Sequence, residues 1–301
     1  MTDAVPASAL GARTTSAAFS TTDWAVFGGI GAIWGASFLF IAIGLDALEP
    51  GVITLLRVSL GALTLGLLPG SRMRLVSGDH TRMVALSIIW VGIPFTLFPL
   101  AEQHINSAVT GLLNGATPMF AALFAVAIFG SRTTGPQLGG LVVGFGGIVL
   151  ISLPSLGEGS SQVTGVLLVL MATVCYGLAV HLAAPLQMRY GSRPVMARML
   201  ALATIWTLPY GVASVPSSHL ELGPLVAIVV LGVVGTGIAY LLMGSLVDRV
   251  GPIRASFITY LIPVVSLGLG VAVRDDHVEL PALVGVVLVV TGAVLASRKE
   301  R

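Results

Sequence analysis

The sequence predicts an all-α integral membrane protein with ten transmembrane helices, arranged as two inverted five-helix repeats. Three observations lead to this fold class. The 301 residues are 55% hydrophobic and only 9% charged, whereas soluble domains carry roughly a quarter charged residues. Ten apolar stretches approach the length of about 20 residues that a membrane span requires. The second half of the chain also repeats features of the first half at a shift of about 145 residues.

Charged residues and Pro- or Gly-rich breaks separate the ten predicted spans. These spans cover residues 24–44, 50–69, 82–101, 105–129, 136–153, 163–183, 194–213, 223–244, 252–273 and 280–297. Residues 1–22 are small and polar without an apolar core, so they predict a disordered cytoplasmic tail and not a cleaved signal peptide. We expect one repeat in 23–154, the second in 155–298, and a short cytoplasmic tail at 299–301.

The distribution of Lys and Arg predicts the orientation in the cell membrane, plasma or inner. With the N-terminus in the cytoplasm, twelve of the fifteen Lys and Arg residues fall in cytoplasmic segments, and only Arg274 falls in an outside loop. The other two, Arg57 and Arg198, lie within spans. Because cytoplasmic loops carry an excess of these residues, we expect both termini in the cytoplasm and an even number of spans.

Matched residues in the two halves predict the inverted arrangement. The pairs at a shift of 145 are Pro118 with Pro263, Gly140 with Gly285, and Gly147 with Gly292. A repeat of five spans that runs directly into its copy must insert that copy upside down. Inverted repeats are the architecture of many alternating-access transporters, whose substrate site lies near the membrane midplane.

The first three spans supply several candidate residues. Trp34 and Phe38 are one helical turn apart on one face of span one, with Ser37 beside them, and aromatic residues at this depth indicate either core packing or the wall of a cavity. Arg57 in span two is costly in a membrane and therefore a functional candidate. It either binds a substrate carboxylate or braces the helix against backbone carbonyl groups. Phe95, beside Pro94 in span three, is a further candidate.

The outer end of span three carries Glu102 and His104. We expect this pair to lie in a loop exposed to water. The core of every predicted span is free of Asp and Glu, so the sequence does not predict a proton relay through an intramembrane carboxylate.

Spans four and nine each carry a proline near the middle, with a polar residue four positions earlier. The pairs are Asn114 with Pro118 and Thr259 with Pro263. Proline removes a helical hydrogen bond and kinks the helix, and the freed carbonyl group is tolerated only where protein or a cavity satisfies it. We expect both helices to face the interior of the bundle, where the prolines either border a site or shape the packing.

The remaining spans add three tyrosines and a glycine-rich stretch. Tyr176, Tyr240 and Tyr260 lie within spans six, eight and nine, where a hydroxyl group requires a hydrogen-bond partner. His181 in span six either titrates during transport or is a packed or interfacial residue. The run "GGLVVGFGG" at 139–147 has GxxxG spacing, which is typical of close helix contacts, within one chain or between two.

These considerations predict a substrate site near the membrane midplane. Its residues are Trp34, Ser37, Phe38, Arg57, Phe95, Asn114, Pro118, Tyr176, Tyr240, Tyr260 and Pro263.

From about residue 23 to residue 297 the chain resembles the EamA-type branch of the drug/metabolite transporter superfamily. The resemblance rests on "WGASF" and "YGLAV" in the first span of each copy, an Arg in the second, and the run "AEQHINSAVTGLLNGATPMFAALFAVAIFG" followed by a glycine-rich fifth span. It implies ten spans in two copies of one domain, transport of small molecules, and export. Where the family commonly ends the fourth helix of a repeat with Gly-Glu-Arg, this chain has Ser131 in the first copy, and Asp275 and Asp276 in the second.

The sequence therefore predicts a secondary transporter of small polar or amphipathic metabolites, such as amino acids. A lipid flippase on the same scaffold is the alternative, and a membrane-embedded enzyme is the weaker one because the HExxH, GxSxG and P-loop motifs are all missing from the sequence. We expect no cofactor, no metal and no nucleic acid. The expected partners are a small-molecule substrate and the lipid bilayer, with the protein as a monomer or a homodimer.

Overall fold

A computed structural model of the chain describes residues 19–71, 74–128, 130, 134–157 and 159–296. The described part is helical throughout and contains no strand. Eight helical segments within it are long and apolar enough to cross a membrane, and two shorter apolar helices accompany them. The predicted all-α class is therefore confirmed. Most of the tail predicted for 1–22, Ser131 and the tail at 299–301 lie outside the described residues.

Ten helical segments follow one another with short connections in the described part of the chain. They are Thr21–Leu45 (segment 1), Pro50–Gly66 (segment 2), Ser77–Glu102 (segment 3), Ser107–Ala127 (segment 4), Gly135–Gly157 (segment 5), Ser160–Tyr190 (segment 6), Ser192–Ser214 (segment 7), Leu222–Val250 (segment 8), Arg254–Arg274 (segment 9) and Leu280–Ala296 (segment 10).

Segment 1 begins at Thr21, three residues before the start of the predicted span 24–44, because Ser20 caps it. The Ser20 hydroxyl accepts a hydrogen bond from the backbone N–H of Asp23 at 3.1 Å, and the Asp23 carboxylate accepts one from the backbone N–H of Ser20 at 3.1 Å. This reciprocal capping box satisfies two N–H groups at the start of the helix.

Four of the segments are irregular, and their irregularities fall at matched places in the two halves. Segment 3 widens into a π-helix at Ser87–Gly92, and segment 8 does so at Leu231–Ile238. Segment 4 breaks after Asn114 and resumes as a helix at Thr117–Ala127. Segment 9 passes through a 3₁₀ turn at Phe257–Tyr260 before its long helix.

Segments 5 and 10 pack against each other through glycines. A Cβ atom on Gly292 would lie 2.4 Å from the backbone nitrogen of Gly144, and one on Gly147 would lie 2.5 Å from the carbonyl oxygen of Gly285. Gly140 meets Gly292 in the same way, at 2.7 Å from its carbonyl oxygen. Only glycine permits such close backbone approach, so the GxxxG stretch of segment 5 makes a contact within the chain.

The bundle has two ends, distinguished by their loops. We call the end that carries residues 19 and 296 and the connections at Gly191 and Gly251 the terminal end. Ion pairs there join Asp79 to Arg189 at 2.9 Å and Asp23 to Arg249 at 3.3 Å. The other end, called here the opposite end, carries the connections at 46–49, 103–106, 215–221 and 275–279.

The opposite end is held together by bonds between the two halves of the chain. Asp46 makes two hydrogen bonds with the Arg274 guanidinium, at 2.8 and 3.0 Å. Asp276 Oδ2 accepts hydrogen bonds from the Ser107 hydroxyl at 2.7 Å and from the backbone N–H of Ala108 at 2.9 Å. We refer to these two contacts as the opposite-end ties.

Candidate functional site

A cavity of about 320 Å³ lies inside the bundle, between the two halves of the chain. Most of its wall is aromatic or aliphatic, with a few polar groups. The lining residues are Trp34, Ser37, Phe38, Arg57, Trp90, Phe95, Phe98, Asn114, Thr117, Tyr176, Val180, Gln187, Ser192, Met196, Gly235, Tyr240, Met243, Gly244, Val247, Ser256, Thr259 and Ile262. Concave, mostly apolar sites with a few placed polar groups are typical of small-molecule binding.

The cavity extends from the middle of the bundle toward the terminal end. Gln187 and Ser192 lie beside the connection at Gly191, and Val247 lies one turn before the connection at Gly251. In the described part of the chain, none of the lining residues comes from the connections of the opposite end. The cavity is thus directed toward the terminal end, and the opposite-end ties lie outside its lining.

Arg57 is the one charged residue that lines the cavity within the described part of the chain. It is 6% exposed, and its guanidinium carbon lies 3.8 Å from the centre of the Phe95 ring. Its Nε donates a hydrogen bond to Thr236 Oγ1 at 3.2 Å. A cation held against an aromatic face in a site of low dielectric attracts anions strongly, so this region of the cavity suits a carboxylate.

The position of Phe95 follows from a proline in the same helix. Pro99 lacks an N–H, which leaves the Phe95 carbonyl group without its helical partner. Thr54 Oγ1 donates a hydrogen bond to that carbonyl oxygen at 3.0 Å. Because Thr54 and Arg57 are three residues apart in segment 2, they share a face of the helix. One face of segment 2 thereby contacts both the backbone and the ring of Phe95.

Asn114 provides an unpaired acceptor in the cavity. It is the last residue of the first half of segment 4, it is 9% exposed, and its side-chain oxygen Oδ1 is buried with no hydrogen-bond partner among the described residues. Its backbone carbonyl group, which Pro118 leaves free, accepts a hydrogen bond from Thr117 Oγ1 at 2.9 Å. The break that Pro118 causes is therefore satisfied locally, and a side-chain acceptor remains available to a ligand with an N–H group.

Aromatic rings cover two walls of the cavity. Phe98 packs edge-on against Phe38, with ring centres 5.5 Å apart, and contacts Tyr176 at 5.8 Å. Trp34 and Tyr240 pack edge-on at 6.0 Å. These rings offer apolar faces, and Tyr176 and Tyr240 add hydroxyl groups.

Eight of the eleven predicted site residues come together around this cavity, and three lie outside it. The three are Pro118, Tyr260 and Pro263. Pro118 stands in the first turn of the helix that resumes at Thr117, and the buried Pro263 packs against Gly115 where segments 4 and 9 meet. Tyr260 packs against a separate cluster that contains Met119, Leu141, Ala293 and Ala296. We therefore leave these three residues out of the proposed binding site.

Several lining residues are not among the predicted site residues, chiefly the aromatic residues Trp90 and Phe98 of segment 3. Phe98 and Trp90 line the cavity, but Trp90 lies in the π-helical stretch, where α-helical periodicity gives the wrong face. Phe98 is three residues after Phe95, a spacing that marks one helix face and would have identified it.

Three other residues of the predicted spans and their ends have definite positions in the structure. Arg198 is the repeat mate of Arg57, since each is the Arg in the second span of its copy. Arg198 is exposed and does not line the cavity, unlike Arg57. His181 is half-buried outside the cavity lining, and its Nε2 lies 2.8 Å from the carbonyl oxygen of Ala121. The expectation that Glu102 is exposed to water is wrong, because both of its carboxylate oxygens are buried. Segment 6 covers this region, with Gly165 against the Ala101 carbonyl.

Comparisons with known proteins agree over most of the chain. The model of the EamA-like transporter family matches residues 24–153 and again residues 163–298. An uncharacterized transporter of Archaeoglobus fulgidus is 26% identical, with 92% of this chain and 99% of the relative covered.

Two further relatives have more specific names. A probable terminal-alkyne amino-acid exporter of Streptantibioticus cattleyicolor is 25% identical, with 88% and 90% covered. A probable amino-acid metabolite efflux pump of Escherichia coli is 24% identical, with 86% and 89% covered. A solved crystal structure shares the fold with a TM-score of 0.64 at 21% identity, covering 92% of this chain and 97% of that protein.

Proposed function

The chain belongs to the EamA-like transporter family, and from that premise we propose that it exports amino acids or related amphipathic metabolites across the cell membrane. The family makes it a membrane transporter, and the resemblance predicted from the sequence is confirmed. The substrate class, the direction and the mechanism are our proposal. The observation that carries it is the cavity, which combines one guanidinium, one unpaired amide oxygen and aromatic walls.

The polar groups of the cavity match the two charges of an α-amino acid. Arg57 suits the carboxylate, since charge-assisted pairs with a guanidinium are among the strong hydrogen bonds in proteins. Asn114 Oδ1 suits the ammonium group, which carries only donors. The rings of Trp34, Phe38 and Phe98 suit an apolar side chain. Two relatives with the words amino-acid exporter and amino-acid metabolite efflux pump in their names support the same class.

The proposed cycle is alternating access between two inverted repeats of five spans each. Matched irregularities in segments 3 and 8, and in segments 4 and 9, support the repeat. The reciprocal glycine contacts of segments 5 and 10 support an axis that relates the halves. With both termini in the cytoplasm, as the Lys and Arg distribution predicts, the cavity faces the cytoplasm and the opposite-end ties close the outer side. Rocking of the repeats would then expose the cavity outward.

Counterflow in proteoliposomes tests the proposal. The panel contains labelled leucine, phenylalanine and threonine, a nucleoside, a sugar and a cationic dye. We expect saturable flux of at least one amino acid, and its loss in Asn114→Leu and Trp34→Ala variants that fold normally. Flux of the nucleoside, the sugar or the dye alone would contradict the substrate class.

A second arm addresses direction and the flippase alternative. Cells that overproduce the protein are loaded with a dipeptide, which they hydrolyse to free amino acids. If the protein exports these amino acids, the cells should release them faster than cells with the Asn114→Leu variant, and the internal amino-acid concentration should fall. In parallel, a fluorescent phospholipid is placed in the inner leaflet of the proteoliposomes. Movement of this lipid without any amino-acid flux would replace the proposal with a lipid flippase.

A further inference from the structure

Glu102, the last residue of segment 3, is a half-buried residue whose carboxyl group lies outside the cavity lining. Both of its carboxylate oxygens are buried, and neither has a hydrogen-bond partner among the described residues. Acidic side chains are almost never buried without a partner. An ionised carboxylate that loses its water and gains no donor is costly by several kcal/mol in general. The position therefore demands an explanation beyond packing.

Three charged groups interact electrostatically with the Glu102 carboxyl group, each from a different place in the fold. They are Asp276 in the connection after segment 9, Arg57 in segment 2 and Arg274 at the end of segment 9. Arg274 and Asp276 form the opposite-end ties, and Arg57 lines the cavity. Two of the three charged groups therefore belong to the opposite-end ties, and the third lines the proposed substrate site.

Each neighbouring charge already has a contact in the closed arrangement. Arg274 is paired with Asp46, Asp276 accepts two hydrogen bonds at the start of segment 4, and Arg57 lies on Phe95. None of them forms a hydrogen bond with Glu102. The closed arrangement therefore provides no donor for an ionised Glu102, whereas opening of this end would admit water to it.

We propose that Glu102 is a proton-binding site that couples closure of the opposite end to protonation. In the closed state Glu102 is a neutral acid and Arg274 remains on Asp46. When this end opens, water reaches Glu102, the carboxyl group releases one proton to water, and the resulting carboxylate competes with Asp46 for Arg274. Rebinding of a proton permits closure. The only chemical step is transfer of one proton between the carboxyl group and water.

A proton is the cation that this site accepts. Two guanidinium groups act on Glu102 and would repel a metal cation. Within the described residues, no group of three or more His, Cys, Asp and Glu side chains is placed to hold a metal. A proton needs one basic oxygen and no coordination shell, so the lone carboxylate suffices. This inference concerns the conformation of the opposite end and does not require that the proposed substrates are correct.

The test measures accessibility of the opposite end as a function of pH, without substrate. The background is Cys175→Ser, which removes the single cysteine, and the reporter is Ala47→Cys, beside Asp46 and 9% exposed. Purified protein in detergent is labelled with a charged maleimide. Each rate is divided by the rate of the denatured protein at the same pH, which cancels the ionisation of the thiol itself.

We expect the normalised rate to rise by about tenfold from the acid to the alkaline end of the pH series, because a carboxyl group buried without a donor stays neutral and ionises only where water reaches it. In Glu102→Gln the rate should stay low and vary by less than about twofold, because the amide cannot ionise. Glu102→Asp keeps an ionisable group and should retain the rise in rate. This variant tests the inference even if Glu102→Gln folds poorly, and loss of the rise in a folded Glu102→Asp protein would contradict it.

The matched control is Glu279→Gln, which makes the same change at an exposed acid of the same end. It should keep the parent profile. A flat profile in the parent, or an unchanged rise in Glu102→Gln, would overturn the inference. Its failure is distinct from that of the proposed function: amino-acid flux without a pH response contradicts the proton site alone, and a pH response without amino-acid flux contradicts the substrate class alone.

Discussion

Replacement of Arg57 by Leu tests the proposed role of the cavity cation. The side chain is 6% exposed, it makes one hydrogen bond to Thr236, and it is the one charge that lines the cavity in the described part of the chain. A hydrogen bond to a charged group contributes about 1.5–3 kcal/mol, and each 1.4 kcal/mol corresponds to about tenfold in affinity. We therefore expect the KM for the transported amino acid to rise by about 10-fold to about 150-fold.

The assay is counterflow in proteoliposomes at a range of substrate concentrations, with melting temperature as a check of folding. Arg57→Lys keeps the charge but loses the planar guanidinium, so its KM should lie between those of the parent and of Arg57→Leu. Arg198→Leu is the matched control, since Arg198 is the repeat mate but is exposed and outside the cavity. A normal KM in Arg57→Leu, or equal effects at the two arginines, would refute the reasoning.

Three further predictions concern the neighbours of the cavity and the packing of the halves. Thr236→Val removes the hydrogen bond that positions Arg57, and the KM should rise by about fivefold, or about 1 kcal/mol; an unchanged KM would show that packing on Phe95 alone holds Arg57. Gly292→Val places a Cβ atom 2.4 Å from a backbone nitrogen and should lower the free energy of unfolding by about 3 kcal/mol in a denaturation series. The control Gly146→Val meets open space and should change the free energy of unfolding by less than about 0.5 kcal/mol. Equal losses in the two variants would contradict close packing of segments 5 and 10. Asp46→Asn weakens an exposed pair worth about 0–1 kcal/mol, so labelling of the Ala47→Cys reporter should rise by at most about fivefold, and a larger rise would mean that this pair dominates the closure.

Much of the site could be predicted because polar and aromatic residues are rare in the middle of apolar spans. Trp34, Arg57 and Asn114 stand out from their surroundings in the sequence, and all three line the cavity. Prolines stand out equally, but for another reason. Pro118 and Pro263 lie in the first turn of a helix that begins again after a break. A proline in this position does not have to contact the cavity.

The remaining residues depended on geometry that the sequence does not carry. The π-helical stretches of segments 3 and 8 change which side chains share a face, so Trp90 was missed. Glu102 follows the last residue of predicted span three, and its position along the chain therefore predicts that it lies in a loop exposed to water. Both carboxylate oxygens are nevertheless buried, and segment 6 packs against this end of segment 3, with Gly165 beside the Ala101 carbonyl group. A local sequence pattern does not show such packing between distant parts of the chain.

The most direct test of the central claim compares an amino acid with its methyl ester as competitors for counterflow. The amino acid of the panel with the largest flux is used, because its ester keeps the ammonium group and the side chain and lacks only the anionic carboxylate. The account predicts that the acid competes saturably, that the ester competes at least about tenfold more weakly, and that Arg57→Leu removes this difference. Equal competition by acid and ester in the parent protein would contradict a cavity in which Arg57 binds the carboxylate.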